Sequence, residues 1–259
     1  MYCVMWMIFL VCGSPERIKV FTEQLSKEVL LKVEGKPKPQ TTVNFLGRTL
    51  RHNGDSIDIT MPTAYVTDML KLFGMENAKP SPTTGPSTKP NYVPQPLNNA
   101  DHKAYGAIVG KLLWLALIRP DISYATKELS RDLTAPTTES VTKVKHLLRY
   151  MSGTRDHCQR LCPSVTMSDS DCTLDIDCFV GSDWARCRTN RKSTSGTVVQ
   201  LLNSTVSFGS RTQGTIALSS GETELYAIGQ GTSEALFTRT PLQAKAWPLG
   251  LEQARKQST

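Results

Sequence analysis

The sequence predicts an α/β (α+β) fold made of two modules. Apolar residues recur at helical spacing between residues 105 and 151, which indicates packed helices. Residues 174–180 instead alternate apolar with polar side chains, as a strand does. A polar, aperiodic stretch at 154–173 lies between the two patterns. We therefore predict one module over residues 1–155 and a second over residues 170–259.

The composition indicates a folded protein with a basic surface. Of the 259 residues, 39% are hydrophobic and 20% are charged, which is typical of globular proteins and excludes a disordered chain. The net charge of +7 is compatible with a polyanionic partner such as nucleic acid. Because many basic proteins bind no nucleic acid, the charge alone does not identify the partner.

The cysteines and the apolar start of the chain bear on localisation. The seven cysteines show no paired CxxC spacing, so we predict reduced thiols in an intracellular, cytoplasmic or nuclear protein. The apolar segment Met1–Cys12 is shorter than the roughly 20 residues of a membrane span and lacks the basic start of a signal peptide. We interpret it as a buried strand and expect no membrane partner and no small-molecule cofactor.

The first module opens with a helix and a β-hairpin in our prediction. Ile18, Phe21 and Leu25 have helical spacing within a helix over residues 16–31. A single strand follows over residues 43–50. The Asn53-Gly54 dipeptide then predicts a hairpin turn into a second strand that ends at Ile59.

The rest of the first module is predicted to be helical. A short helix is expected from Tyr65 to Phe73, and the proline-rich stretch from Lys79 to Pro96 is expected to form a loop. Three helices follow, and their inward faces carry Tyr105, Ile108, Val109, Leu112 and Ala116; Ile122, Ala125 and Leu129; and Val141, Val144, Leu148 and Met151.

The second module is predicted to contain strands followed by one helix. The strand that begins near Leu174 precedes a hairpin turned at Asn203-Ser204, and a further short strand is expected at Thr215–Leu218. Ser219 and Glu222 have the spacing of a capping box, so we predict a helix that starts there and ends near Thr238.

Seven short motifs are distributed along the chain. They are FLGR at 45–48, YGAIVGKLLWLA at 105–116, RPDI at 119–122, LLRYMSGT at 147–154, SDWA at 182–185, RKSTSG at 191–196 and ALSSGETELYA at 217–227. This series closely resembles the junction of reverse transcriptase and RNase H in copia-type (Ty1/copia) retrotransposon Pol polyproteins. The resemblance covers about residues 4–240. It implies a remnant of the palm, thumb and connection, followed by a truncated RNase H-like domain.

The resemblance implies RNA-directed DNA synthesis, but the polymerase signature is missing. The family carries two adjacent aspartates on a hairpin, which are expected just before Gly13. Val4–Met7 stand there instead, and no Asp-Asp pair occurs in the sequence. Because such carboxylates anchor the two catalytic metal ions, we expect no polymerase activity.

The RNase H site that the resemblance implies is more nearly complete than the polymerase site. The resemblance implies that Asp183 and Glu224 are catalytic and metal-binding residues, lie near each other and would hold Mg²⁺ or Mn²⁺. Gly181 stands where the family has an acidic residue, and two later acids have no counterpart, so metal binding is expected to be weak or absent. Alternatively, Asp183 is a solvated or turn-capping carboxylate. Glu222 is better explained as the capping partner of Ser219.

Basic residues follow the SDWA motif. Arg188, Arg191 and Lys192 could contact phosphates of an RNA–DNA hybrid, the partner that the resemblance implies. An ordinary polar hairpin is the alternative interpretation.

We therefore predict a polyprotein fragment whose ancestral reactions are RNA-directed DNA synthesis and RNA-strand hydrolysis, and which is inactive as it stands. One alternative is a non-catalytic nucleic-acid-binding protein derived from a retroelement, whose binding would weaken steeply with salt. Another is a nuclease that is completed by residues from elsewhere. A third is a chain without function.

Overall fold

The computed structural model describes residues 15–28, 41–86, 93–162, 175–187 and 189–256, with side chains described through Thr240. The strand predicted at Met1–Cys12 lies outside the described residues, as does Arg188. Within the described ranges, no helix combines the length and the apolar composition that crossing a bilayer requires.

The first sheet is antiparallel and contains β1 Thr42–Phe45, β2 Arg48–His52, β3 Ile57–Thr60 and β4 Gln159–Leu161, in that order. The single strand predicted over residues 43–50 is wrong, because the chain reverses at Leu46 and Gly47. Both residues have positive φ angles, 48° and 72°, and such a two-residue turn matches the twist of a hairpin. Two short strands joined by so tight a turn look like one strand in the sequence.

Strand β4 comes from the stretch in which the sequence shows no periodicity. It has three residues, which is too short to display an alternation. Arg160 attaches it to β3, since Nε and Nη2 donate to the two carboxylate oxygens of Asp58 at 2.7 and 2.9 Å. The first sheet is thus completed by residues about a hundred positions downstream of β3.

The predicted helices of the first module are confirmed, apart from residues 29–31 of the first helix, which lie outside the described residues. They are α1 Pro15–Glu28, α2 Thr63–Leu72, α3 Asn99–Ala116, α4 Pro120–Arg131 and α5 Thr138–Gly153. Helices α2 to α5 enclose the main core, whose largest fully buried side chains include Tyr105, Met69, Leu70, Ile108, Leu112, Ile122, Leu148 and Met151. The Tyr105 hydroxyl donates to the Leu129 carbonyl at 2.7 Å, so the one polar group of that ring is satisfied.

The RPDI and LLRYMSGT motifs meet where α4 begins and α5 ends. The Arg119 side chain is 4% exposed and forms a two-pronged ion pair with Asp121, with distances of 2.8 and 2.6 Å. The same guanidinium donates to the carbonyl and the hydroxyl oxygen of Thr154, both at 2.9 Å. Tyr150 donates to Asp121 from α5 at 2.9 Å. These motif residues therefore hold two helices together.

The second sheet contains β5 Ile176–Asp183, β6 Thr194–Leu201 and β7 Ser204–Thr212 in sequential antiparallel order. The β6–β7 turn lies at Leu202 and Asn203, one residue before the predicted position, with φ angles of 50° and 61°. The predicted strand at Thr215–Leu218 is wrong. Ile216 and Leu218 are 54% and 86% exposed, and no strand among the described residues pairs with this segment.

The second sheet is followed by α6 Ser220–Lys256. The predicted start is confirmed: Ser219 Oγ accepts the Glu222 N–H at 3.2 Å, and the Glu222 carboxylate accepts the Leu218 N–H at 2.7 Å. The predicted end near Thr238 is wrong, because the backbone stays helical past Pro241. Proline keeps a φ angle that a helix accepts, and its main cost is one missing hydrogen bond and a local clash.

Contacts join the two sheets and their helices. Lys127 Nζ of α4 donates to Thr194 Oγ1 of β6 at 2.9 Å. On the other side, Gln159 Nε2 donates to the Thr205 carbonyl at 2.7 Å, and the Cys162 N–H donates to Ser204 Oγ at 2.9 Å. Helix α4 therefore lies beside the strand ends at which the candidate site residues are found.

Candidate functional site

Asp183 is the last residue of β5 and is half-buried. Its Oδ1 accepts the backbone N–H of Thr194, the opposite residue on β6, at 2.6 Å. A short bond from an amide to a carboxylate is a strong, charge-assisted contact. Asp183 thus makes the backbone contact of a capping carboxylate.

Glu224 reaches the same end of β5 from α6. It is exposed, and its Oε1 accepts the backbone N–H of Ser182 at 3.3 Å. The neighbouring residue Thr223 is buried and contacts Ser182 through the two hydroxyl groups. The structure therefore brings Glu224 to the residue that precedes Asp183, although the two carboxylates accept from different strands, β5 and β6.

Gly181 lies two residues before Asp183, so both positions face the same side of β5. It pairs with Gly196 across the sheet. A methyl group placed on Gly181 would have no atom within 4 Å, so a side chain could be accommodated there.

The described residues include no group of three or more His, Cys, Asp or Glu side chains arranged to hold a metal ion. The cysteines within that part of the chain, namely Cys158, Cys162, Cys178 and Cys187, are free thiols. Asp183 and Glu224 therefore form no such group with a third described side chain.

The connection from β5 to β6 carries two of the predicted basic residues. Arg191 is exposed and Lys192 is half-buried. The turn is closed by its own backbone, since the Arg191 N–H donates to the Cys187 carbonyl at 2.8 Å and the Cys187 N–H to the Lys192 carbonyl at 3.3 Å. Arg191 has a φ angle of 57°, a left-handed backbone conformation within this turn.

Residues of α4 complete this surface, and the sequence did not point to them. The ring of Tyr124 has Lys127 Nζ at 5.0 Å and the Arg186 guanidinium at 5.5 Å from its centroid. Arg131 Nη2 lies 2.9 Å from Cys187 Sγ. A basic side chain on a helix indicates only a solvated face, so no local signal could have revealed these contacts between distant segments.

Two pKa values reflect the crowding of charges at this surface. Burial raises the pKa of Tyr124, and the nearby carboxylate of Glu128 adds to that effect. The backbone amide of Asn190 and the Arg131 side chain both stabilise the thiolate of Cys187 and lower its pKa. The Cys187 thiolate is thus stabilised by one backbone amide and one cationic side chain.

Comparisons with known proteins identify relatives of the chain. It is 34% identical to the Retrovirus-related Pol polyprotein from transposon RE1 of Arabidopsis thaliana over 171 residues, which are 66% of this chain and 11% of that protein. It is 30% identical to the uncharacterized mitochondrial protein AtMg00810 of Arabidopsis thaliana, covering 75% of this chain and 77% of that protein. It is also 32% identical to the Pol polyprotein from transposon TNT 1-94 of Nicotiana tabacum, covering 73% of this chain and 14% of that protein.

No protein-family profile matches the chain, and no solved structure matches it. The chain spans about a tenth of the RE1 polyprotein. The similarity therefore concerns one segment of a much larger protein.

Proposed function

The chain belongs to the copia-type retrotransposon Pol family, and from this premise we propose that it is a reverse transcriptase–RNase H fragment that catalyses neither reaction alone. The proposal is supported by where the shared motifs lie. YGAIVGKLLWLA forms the C-terminal part of α3, and RPDI lies at the start of α4. SDWA lies at the end of β5, and SSGETELYA lies at the start of α6. The resemblance assigns α3 and α4 to the polymerase side and the β5–α6 unit to the RNase H side.

The observation that carries the proposal is the small number of carboxylates at the end of β5. Cleavage of a phosphodiester by two metal ions needs acidic ligands for both ions, which lie about 4 Å apart. Here Gly181 offers no ligand, and Asp183 and Glu224 each accept a backbone N–H. This donor set does not fit a pair of divalent ions, so we infer weak binding of Mg²⁺ or Mn²⁺.

We predict that the purified chain extends no primer. The physical reason is that the sequence contains no adjacent aspartates to anchor the polymerase metal ions. The measurement is incorporation of labelled deoxynucleotides on a primed RNA template, beside an intact polymerase as a positive control. Incorporation that persists in the Asp183→Asn, Glu224→Gln double variant would contradict the proposal, because those changes leave any polymerase site intact.

We predict that Gly181→Asp tightens Mn²⁺ binding about tenfold, equivalent to about 1.4 kcal/mol. The new carboxylate would share a face of β5 with Asp183 and has free space around it. Titration calorimetry with Mn²⁺ alone would measure the change. Gly85→Asp is the matched control, since it adds the same charge at a remote loop glycine that also has open space.

The same variant should still leave a labelled RNA–DNA hybrid uncut, because we infer that three carboxylates at this strand end are too few for two metal ions. Equal Mn²⁺ affinities for Gly181→Asp and Gly85→Asp would refute the assignment of this end of β5 as the remnant of a metal site. Hydrolysis of the hybrid by the unmodified chain, lost on Glu224→Gln, would refute the proposed inactivity.

A second candidate function is nucleic-acid binding without catalysis. The specific observation in its favour is the group of cationic side chains around the β5–β6 turn, together with the net charge of +7. Loss of the metal ligands does not affect such a surface, since phosphate contacts by Arg and Lys need no metal ion.

A further inference from the structure

The second sheet has one edge that is contacted by the first module and one edge that is free. At the contacted edge, Gln159 binds the Thr205 carbonyl and the Cys162 N–H binds Ser204 Oγ of β7. At the other edge, β5 is the terminal strand, and no strand within the described ranges pairs with its outer side. Strand β5 contains no lysine and no proline, and the register shift of this sheet lies between β6 and β7. The free edge therefore lacks the features that most often prevent pairing with another strand.

Alternate residues of β5 direct their backbone groups to the free edge. The Ser182 N–H donates to the Glu224 carboxylate of α6, a group outside the sheet, which assigns this N–H to the free edge. In an antiparallel ladder, successive residues alternate between the two neighbours of a strand. The N–H and C=O groups of Cys178 and Val180 therefore point to the same edge as those of Ser182. Glu224 occupies the end of that edge and leaves Cys178 and Val180 available for pairing.

An apolar groove of about 280 Å³ lies between β5 and α6, beside this edge. Strand β5 lines it with Ile176, Cys178 and Val180, and α6 lines it with Ile228 and Leu236. The two α6 side chains are 50% and 53% exposed. Apolar surface thus stays uncovered next to unpaired backbone groups, which together are what an added β-strand with its own apolar face requires.

The opposite face of β5 carries Phe179, which is 59% exposed. Cys178 and Val180 both contact α6 at Gly231, so the side chain between them points away from that helix. We propose that the free edge of β5 pairs in antiparallel orientation with β5 of a second copy of this chain, with Phe179 opposite itself. The backbone of Cys178 would then exchange hydrogen bonds with that of Val180 in the second copy, and the reverse.

The charges of β5 select this register among those that a two-fold axis allows. With Val180 opposite itself, Asp177 would lie opposite Asp183 of the second copy, and like charges in that position are destabilising. With Cys178 opposite itself, only residues 176–180 would overlap. With Phe179 opposite itself, residues 176–182 overlap and Asp177 lies opposite Gly181. The phenylalanine pair then forms an aromatic contact across the two copies.

Helix α6 fits the same arrangement. It lies over both β5 and β6, because Gly231 approaches β5 and Glu234 accepts a hydrogen bond from β6 at 3.1 Å. A two-fold axis perpendicular to the sheet places both copies of α6 on one face. With strands about 4.8 Å apart, the two helices would lie about 10 Å apart, the usual distance of packed helices. Ile228 and Leu236 would then be covered by the second copy of α6, so one self-complementary patch buries both the edge and the groove.

Sedimentation velocity of the full chain at several concentrations tests the pairing. We expect a reversible dimer whose dissociation constant rises at least about tenfold in Phe179→Lys, because two lysines would then lie opposite each other. Val206→Lys is the matched control, since it adds the same charge at an exposed apolar residue of β7, at the other side of the sheet. It should dimerise like the parent. Circular dichroism checks that both variants keep the fold.

A cross-linking experiment tests the register. Residues directly opposite in a sheet have Cβ atoms about 5 Å apart, so Phe179→Cys should form a disulfide between two copies under mild oxidation. In Asp177→Cys the two new thiols would be roughly 14 Å apart and should not join. Peptide mass spectrometry distinguishes a bond between two residues 179 from bonds of the native cysteines.

Three results would overturn the proposal. A chain that stays monomeric up to about 100 μM has no such interface of useful affinity. Equal weakening by Phe179→Lys and Val206→Lys would show association without a defined edge. A dimer that is cross-linked by Asp177→Cys and not by Phe179→Cys would have another register. Cleavage of a hybrid or extension of a primer would refute the proposed loss of catalysis and leave these outcomes unchanged.

Discussion

Replacing Arg119 with methionine should lower the free energy of unfolding by about 3–5 kcal/mol, the usual cost of removing one partner of a buried ion pair. Methionine keeps much of the side-chain length but donates no hydrogen bond. Asp121 would lose both Arg119 hydrogen bonds and keep its Tyr150 contact from α5, and the carbonyl and hydroxyl oxygens of Thr154 would lose their Arg119 donors. The junction of α4 and α5 would then contain polar groups without partners.

Urea denaturation followed by circular dichroism measures this effect at neutral pH. Lys143→Met is the matched control, because it removes one partner of an exposed pair with Glu139, whose side chains are 40% and 31% accessible. That change should cost less than about 1 kcal/mol. If the two variants lose the same free energy of unfolding, the buried Arg119–Asp121 pair does not stabilise the junction of α4 and α5 more than an exposed pair does.

The contribution of this ion pair should also depend on pH. Burial alone would raise the pKa of Asp121, but the hydrogen bonds and charge of Arg119, with the Tyr150 hydroxyl, lower it overall. A carboxyl with a lower pKa in the folded state stabilises the fold above its unfolded pKa of about 3.9. That stabilisation is lost as the pH falls through the folded pKa. The difference between the parent and Arg119→Met should therefore narrow below about pH 4.

The sequence predicted those elements whose signal is local and long enough to be unambiguous. Helices α3, α4 and α5 each repeat their apolar positions over several turns, and the start of α6 has its own capping residues. Strand β4 and the turn at Leu46 and Gly47 are shorter than the windows in which a period can be counted. The prediction of a strand at Thr215–Leu218 was wrong because alternating apolar residues do not show whether a neighbouring strand is there to pair with.

The candidate site, too, could be predicted from the sequence only in part. The motifs pointed to Asp183, Gly181 and Glu224, and the structure places all three at one end of β5. The contact of Asp183 with Thr194 depends on the pairing of two strands, which a linear pattern does not give. The contact of Tyr124 on α4 with Arg186 depends on the packing of segments about sixty residues apart, and neither segment has an unusual composition by itself.

Replacing Gly231 with alanine should destabilise the protein by about 1–3 kcal/mol, the usual cost of overpacking a core. At Gly231, α6 crosses β5 so closely that the new methyl group would overlap Val180 Cγ1 and lie 3.1 Å from Cys178 Sγ. The Cys178 thiol already donates to the Gly231 carbonyl at 3.3 Å, so this side chain cannot move away freely. The penalty should exceed the gain of up to about 1 kcal/mol that alanine gives a helix.

Gly229→Ala is the control for helix propensity, because it lies in the same helix and a methyl group there would meet no atom within 4 Å. That variant should be unchanged or stabilised by up to about 1 kcal/mol. If the clash with Val180 is the cause, Val180→Ala should lower the free energy of unfolding less in the Gly231→Ala protein than in the parent. A double-mutant cycle measures this coupling between the two positions. A Gly231→Ala protein as stable as the Gly229→Ala protein would show that α6 does not approach β5 at this point.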